Sequence, residues 1–181
     1  MALNATIYNV AIELAHIDRA VYETLALRVA RHPSESEAYL LTRLLAYCLE
    51  YTEGIAFSRG LSEPDAPALA VHSPNGELRT WIEVGTPDAA RLHRASKAAP
   101  RVAVYVHKDP TQFLRQISGE RIHRAEALEV YAVDRVLLDG LTARLDRRMS
   151  IDLSVLDGEV TVLLGGDALS GAITRCNLNA A

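Results

Sequence analysis

Residues 67–107 read PALAVHSPNGELRTWIEVGTPDAARLHRASKAAPRVAVYVH, and this stretch decides the fold. Two apolar segments, PALAVH and ELRTWIEV, flank the tetrapeptide SPNG at 73–76, a composition that predicts a β-hairpin. Thr86, Pro87 and Asp88 then offer an N-cap, a proline at the first helical position and an acid at the positive end of the helix dipole. They predict that AARLHRASKAA is a short helix. RVAVYVH has the continuous apolar pattern of a buried strand.

The chain before this stretch predicts another hairpin and a longer helix. Alternation places four apolar residues on one face of an extended segment, Tyr8, Val10, Ile12 and Leu14. It does the same in the next segment with Val21, Leu25, Leu27 and Val29. Ser34 followed by Glu37 makes a capping box, and apolar residues then recur at helical spacing. We therefore expect a helix that ends near position 52.

The chain after this stretch continues to mix the two kinds of element. Asp109 and Asp134 each cap a predicted helix, with the strand LEVYAV between them, and a third hairpin turns at Asp157-Gly158. The order is hairpin, helix, hairpin, helix, strand, helix, strand, helix, hairpin. It predicts an α/β (α+β) fold with a mixed sheet and flanking helices, and excludes a purely parallel doubly wound sheet. We expect residues 1–181 to form a single domain, because this length suits one substantial core.

Composition limits the classes of function. The formal net charge is −4, so the field of the whole molecule repels nucleic acid and any site for it must be local. The amino terminus lacks the pattern of a signal peptide, and no apolar run approaches the roughly 20 residues that cross a bilayer. Cys48 and Cys176 stand far apart, which argues against a disulfide framework or a zinc knuckle. We therefore expect a cytoplasmic protein without a membrane partner.

The common catalytic motifs are missing from the sequence. It contains no GxxxxGK[ST], GxGxxG, GxSxG, HExxH or CxxC, each of which would imply a phosphate cradle, a nucleophile elbow or a metal site. The six histidines show no ligand spacing, so we assign none of them a role.

Two acids of the second hairpin form the best local candidate for chemistry. Folding about Asn75-Gly76 sets position 65 roughly opposite 85, so Asp65 and Glu83 are expected to project from one face. Two carboxylates this close repel each other unless a cation or proton lies between them, and such oxygen sites suit Mg²⁺. A bound ion there would activate water and clamp a phosphodiester.

Simpler interpretations of these residues stay open. Asp65 can cap a turn, and Glu83 can be solvated or paired with Arg91 or Arg94 of the next helix. Glu35 can complement the dipole of the first helix. The cations Arg91, Arg94 and Lys97 can form a solvated face, or can contact phosphate if the acids bind metal.

Several segments together resemble the YaeQ family of bacterial proteins. They are MALNATIY, RHPSES with the following Arg43-Leu44-Leu45-Ala46, FSRGL, Asp65-Ala66-Pro67 and WIEVGTPDAARLHRA. The last is the most specific, and the second half of the chain matches more loosely.

The resemblance implies a core similar to that of PD-(D/E)XK nucleases, in which a helix Glu, a hairpin Asp and a strand Glu surround Mg²⁺. Those roles would fall on Glu35, Asp65 and Glu83. The nuclease pattern places a lysine two residues after the strand acid, where this chain has Gly85. The positive charge of that lysine would have to come from Arg91, Arg94 or Lys97.

Three functions follow as hypotheses. The first is an Mg²⁺-dependent phosphodiester hydrolase acting on DNA or RNA, with Asp65 and Glu83 as metal ligands, Glu35 as auxiliary ligand and a helix cation at the transition state. The second is a nuclease-like scaffold that binds nucleic acid or a protein partner without catalysis, which the glycine at position 85 and the acidic net charge favour. The third is a small-molecule phosphohydrolase.

Overall fold

The computed structural model describes residues 4–58 and 65–178. The first three residues and residues 59–61 of FSRGL, which belong to the YaeQ resemblance, lie outside the described residues. Within these two ranges the ten strands are β1 Thr6–His16, β2 Val21–Arg31, β3 Ile55–Phe57, β4 Leu69–His72, β5 Leu78–Val84, β6 Arg101–Val106, β7 Glu129–Val133, β8 Arg148–Leu156, β9 Glu159–Leu164 and β10 Asp167–Cys176. The four α-helices of the described residues are α1 Glu37–Leu49, α2 Ala89–Ala98, α3 Pro110–Ile117 and α4 Arg135–Thr142. Short 3-10 helices lie at Ile17–Arg19 and Ala125–Ala127.

All ten strands join one sheet in the order β2-β1-β8-β9-β10-β7-β6-β5-β4-β3. Strands β5, β6 and β7 are parallel, as are β1 and β8, whereas the other neighbours are antiparallel. The predicted mixed sheet and flanking helices are therefore confirmed. None of the helices in the described ranges combines the length and apolar character that a membrane span requires.

The core lies on both faces of β5, β6 and β7. Helices α2 and α3 cover one face, where Leu92 and Phe113 pack on the strands. The other face packs on α1 and α4, which β1, β2, β8 and β9 enclose from the far side. Because both faces are covered, the apolar residues of WIEV and VAVYV are buried, as predicted: Trp81, Ile82, Val84, Val102, Val104 and Val106.

Two helices begin later than the sequence predicts. The side chain of Ser36, and not that of Ser34, caps α1 by accepting from the Tyr39 backbone N–H at 3.0 Å, and α1 ends at Leu49. Glu35 therefore precedes the helix instead of lying in its first turn.

Helix α2 is capped by Asp88, which accepts from the Arg91 N–H at 2.7 Å, and not by Thr86. The chain stays extended past β5 because the Gly85 N–H still binds the Tyr105 carbonyl at 2.9 Å. The proline at 87 consequently precedes the cap.

The second hairpin is confirmed, but β4 is short. Leu69 pairs with Ile82 and the Gly76 N–H closes the turn on Ser73 at 2.8 Å. Strand β4 begins at Leu69, so the alternation of faces does not extend back to Asp65. The expectation that Asp65 and Glu83 share a face therefore lacks the strand that it requires.

Strand β10, for which the sequence analysis made no prediction, connects the two halves of the sheet. It pairs with β9 and with β7. Gly171 permits helix α4 to pack closely on it, because an added Cβ would lie 2.6 Å from the Cβ atoms of Asp134 and Leu137.

Candidate functional site

A cleft of about 580 Å³ opens at the carboxyl ends of the parallel strands β5 and β6. The loop before α1, helix α1 itself, the segment before β4 and the start of α2 complete its walls. In α/β sheets, ligands bind at the carboxyl ends of strands, so this is the first place to look for a function. Its charged and imidazole side chains are Glu35, Arg43, Glu83, Arg91, His107 and Lys108.

Glu83 is buried at the end of β5 and is held by two donors. Trp81 Nε1 donates to Glu83 Oε1 at 2.6 Å, and Arg91 Nε donates to the same oxygen at 2.7 Å. Burial raises the pKa of Glu83, and the charge of Arg91 and the two hydrogen bonds offset only part of that effect. Glu83 is therefore easier to protonate than an exposed glutamate.

Glu35 and Arg43 form a second buried pair across the cleft. Arg43 Nη2 lies 3.1 Å from Glu35 Oε2, with side-chain exposures of only 3% and 7%. The His32 backbone N–H donates to the same carboxylate oxygen at 3.1 Å. Arg43 Nη2 also donates to the Ala30 carbonyl at 2.7 Å, and its guanidinium lies 5.5 Å from the Tyr39 ring centroid. These contacts fix the arginine in one position.

Asp65 lies outside this cleft lining and is 90% exposed. It lies 3.9 Å from Arg94, which is itself 60% exposed. Lys97 is exposed on the last turn of α2. The structure thus brings Glu35, Glu83 and Arg91 to one cleft, and leaves the other candidates on the surface beside it.

Few carboxylates of the cleft are placed to bind magnesium. Within residues 4–58 and 65–178, no group of three or more His, Cys, Asp or Glu side chains is placed to hold a metal. Glu35 and Glu83 each pair with an arginine, an arrangement that satisfies their charge without an ion. The residues as arranged do not form a ready Mg²⁺ site, and magnesium binding stays a prediction.

Two cleft residues that the sequence analysis did not select follow directly after β6. His107 is half-buried, and its Nδ1 atom has no hydrogen-bond partner among the residues that the structure describes. Burial, helped by the charge of Lys108, lowers the pKa of His107, which favours the neutral imidazole. Lys108 is exposed. Both residues stand directly after a buried strand in the sequence, and this position could have identified them. It points to the cleft only once β5 and β6 are known to be parallel neighbours.

The structure gives a physical reason for glycine at position 85. Gly85 has φ +94°, a backbone conformation that a lysine would adopt only with strain. An added Cβ would lie 3.7 Å from His107 Cε1 and 3.8 Å from Tyr39 Cε2. A side chain at position 85 would therefore face these two rings.

The fold and site together define an α+β protein with a mixed sheet and a charged cleft at its parallel strand ends. Residues 1–172 match the family model described as YaeQ protein. The uncharacterized proteins YaeQ of Salmonella typhi and Escherichia coli K12 are 33% and 32% identical over 161 residues, covering 88% of this chain and 89% of each relative. The chain belongs to the YaeQ family.

Solved structures agree with this assignment. The crystal structure of the YaeQ protein from Xanthomonas axonopodis pv. citri superposes with a TM-score of 0.86 at 28% identity, covering 96% of this chain and 98% of that one. The YaeQ protein from Pseudomonas syringae gives 0.86 at 31% identity, with 96% of both chains covered. Relation to the PD-(D/E)XK core stays a prediction.

Proposed function

We propose that the cleft binds the phosphodiester backbone of nucleic acid, on a scaffold similar to that of the PD-(D/E)XK nucleases. The observation that carries this proposal is the convergence of Arg43, Arg91 and Lys108 on one concave surface. Two carboxylates face these three cations, and burial raises the pKa of one of them, Glu83. The cleft is therefore locally cationic although the chain has a net charge of −4.

The cations differ in how readily they can contact a ligand. Arg43 is fixed by Glu35 and the Ala30 carbonyl, and Arg91 holds both Glu83 and the Ala66 carbonyl, at 2.7 Å. Lys108 is exposed and forms no ion pair with any residue in the described ranges. Lys108 is consequently the cation that can bind a phosphate without breaking a contact within the protein.

Metal-dependent hydrolysis is the second candidate function. Its support is that Glu35 and Glu83 line the same cleft, and that Oε2 of Glu83 accepts no hydrogen bond from the described residues. Mg²⁺ in such sites commonly uses one or two carboxylates together with substrate phosphates, and supplies an activated water and a Lewis acid. The arginines would stabilise developing negative charge on the phosphate.

A binding titration tests the first proposal. Labelled single-stranded and duplex oligonucleotides are titrated with the protein in EDTA, with fluorescence anisotropy as the readout, over a series of salt concentrations. Lys108→Gln should weaken binding roughly five- to tenfold near about 0.1 M salt and reduce the salt slope by about 1, because one phosphate contact is lost.

Lys97→Gln is the matched control, since it removes the same charge from an exposed site outside the cleft lining. Equal losses in the two variants would mean that binding follows overall charge and not this cleft. Absence of any salt-dependent binding by the unmodified protein would reject the proposal.

A further inference from the structure

A groove of about 470 Å³ runs between β2 and β3, the two strands that end the sheet. Residues 26–30 of β2 form one wall and all of β3 forms the other, with Arg43 and Tyr47 of α1 between them. The Tyr47 ring stacks on Phe57, with 4.8 Å between centroids. The groove therefore has a side-chain floor and two strand edges as walls.

The hydrogen bonds of the structure identify which backbone groups of β2 face the groove. The Asn9 N–H donates across to the Arg147 carbonyl at 2.8 Å, so Asn9 faces away from its β2 partner Arg28. Arg28 thus belongs to a non-hydrogen-bonded pair, and its own N–H and C=O point out from the sheet. Ala26 and Ala30 share this orientation by alternation, in agreement with the contact from Arg43 to the Ala30 carbonyl.

The same reasoning applies to β3. The Ser58 N–H binds the Ala68 carbonyl at 3.2 Å and the His72 N–H binds the Gly54 carbonyl at 3.1 Å, so the even-numbered residues face β4. Phe57 therefore directs its N–H and C=O toward the groove. Among the described residues, the outward N–H groups of Ala26, Arg28 and Phe57 pair with no other strand, which is the arrangement that accepts an added strand.

The side chains along β2 define the chemistry of such a strand. Leu27 and Val29 face the packed side, so residues opposite them should be apolar. Arg28 lies on the outer face of the sheet. It pairs with Asn9 of β1, which in turn pairs with Arg148 of β8. Among the described residues that line the groove, Arg28 and Arg43 are the charged ones and none is acidic. A residue opposite Arg28 should therefore be an acid.

We propose that this groove binds an extended segment of a partner protein, which alternates acidic and apolar residues and adds as a strand to the edge of β2. Backbone hydrogen bonds to Ala26, Arg28 and the Ala30 N–H supply the binding, since the Ala30 carbonyl already accepts from Arg43, and the charge of Arg28 selects acidic side chains. The inference concerns a different surface from the proposed phosphate cleft and does not depend on it.

An NMR titration tests this inference. The probe is an acetylated and amidated pentapeptide that alternates glutamate and valine, added to the ¹⁵N-labelled protein. We expect the largest amide shifts at Ala26, Arg28 and Phe57, with slower hydrogen exchange at those amides. Arg28→Glu should weaken this peptide and strengthen the version in which lysine replaces glutamate.

Two proline variants separate strand addition from a general effect on β2. Ala26→Pro removes an outward N–H within the groove and should weaken the peptide roughly tenfold. Thr24→Pro removes an equivalent outward N–H beyond the groove lining and should bind normally, and thermal melting confirms that both variants fold.

Four outcomes would overturn the proposal. They are the absence of shifts at millimolar peptide, equal loss in the two proline variants, shifts at these amides with oligothymidine but not with peptide, and shifts that depend on protein concentration alone. The third outcome would assign the groove to nucleic acid and the fourth to a second copy of the chain.

Discussion

Arg91 of α2 donates its Nε hydrogen to Oε1 of Glu83 at 2.7 Å, so the first turn of the helix neutralises the acid at the end of β5. The pairing matches the simpler interpretation that the sequence left open for Glu83. Burial, Trp81 and Arg91 together set the environment of Glu83, so its protonation should change the stability of the protein as pH changes.

Replacing Glu83 by Gln should remove a pH-dependent cost to stability. Burial raises the pKa of Glu83, and an acid with a raised folded-state pKa contributes stability below its unfolded pKa that is lost as pH rises through the folded value. The unmodified protein should therefore lose stability relative to Glu83→Gln as pH rises above the usual pKa of a glutamate, about 4.3. Urea unfolding across that range measures the difference.

Glu77→Gln provides the control for the Glu83 experiment. Glu77 is 60% exposed and pairs with an exposed arginine, so its replacement should change the free energy of unfolding little at any pH. A difference between the protein and Glu83→Gln that stays constant with pH would contradict a raised pKa at Glu83.

A second ionic cluster, at the opposite end of β6, should contribute mainly to stability. Arg101 donates to Glu50 at 2.6 and 3.0 Å and to Glu129 at 2.6 and 3.0 Å, and Tyr105 Oη donates to Glu50 at 2.6 Å. Arg101→Met leaves the buried carboxylate of Glu50 and the half-buried carboxylate of Glu129 without their cation. We expect a loss of about 2–3 kcal/mol by urea unfolding, below the range for fully buried pairs because Arg101 is 36% exposed.

Tyr105→Phe is the companion variant, because it removes one hydrogen bond to Glu50 and keeps the charges. It should cost about 1 kcal/mol. A loss in Arg101→Met no larger than in Tyr105→Phe would show that the ion pairs contribute nothing beyond a single hydrogen bond.

Gly85→Ala should be destabilising through the backbone alone. Its φ of +94° imposes strain on any other residue, whereas the nearest side-chain atoms, at 3.7 Å, leave room for a methyl group. We expect a loss of about 1 kcal/mol. Gly76→Ala is the matched control, since φ is +86° and nothing lies within 4 Å of the added Cβ. A much larger loss at position 85 would mean that contact with the His107 and Tyr39 rings, and not strain, excludes side chains there.

Local sequence patterns predicted most of the fold because they act over a few residues. Alternation, turn dipeptides and caps such as Asp109 and Asp134 identified the helices and three hairpins. Strand β3 has three residues, too few for a periodic signal, and β10 is half-exposed with few large apolar residues. The pairing of β10 with β7 is determined by tertiary contacts that no local pattern encodes, whereas its hairpin with β9 turns at Gly165-Gly166, a dipeptide typical of two-residue hairpin loops.

The site was predicted in part for the same reason. Glu83 and Arg91 are eight positions apart, on one strand and the helix that follows it. Their pairing can therefore be predicted from local sequence. His107 and Lys108 reach the cleft only because β6 lies parallel to β5, and Asp65 misses the lining because β4 starts four residues later than Asp65.

The last prediction concerns divalent metal and hydrolysis. If the cleft recruits Mg²⁺, Glu83 and Glu35 are the acids that line it, and Asp65 is exposed beside Arg94. Calorimetry with Mg²⁺ or Mn²⁺ should then show a loss of binding in Glu83→Gln and in Glu35→Gln, and a smaller change in Asp65→Asn. Any cleavage of labelled oligonucleotides should be weak, because an arginine that stays protonated is a poorer proton acceptor than the lysine that the nuclease pattern would place at position 85. Its rate should require the metal and fall by roughly two orders of magnitude in Glu83→Gln, with Glu77→Gln unchanged. Metal-dependent cleavage that survives both Glu83→Gln and Asp65→Asn would locate the active site elsewhere, whereas binding of nucleic acid without any binding of metal would leave the cleft as a non-catalytic recognition site.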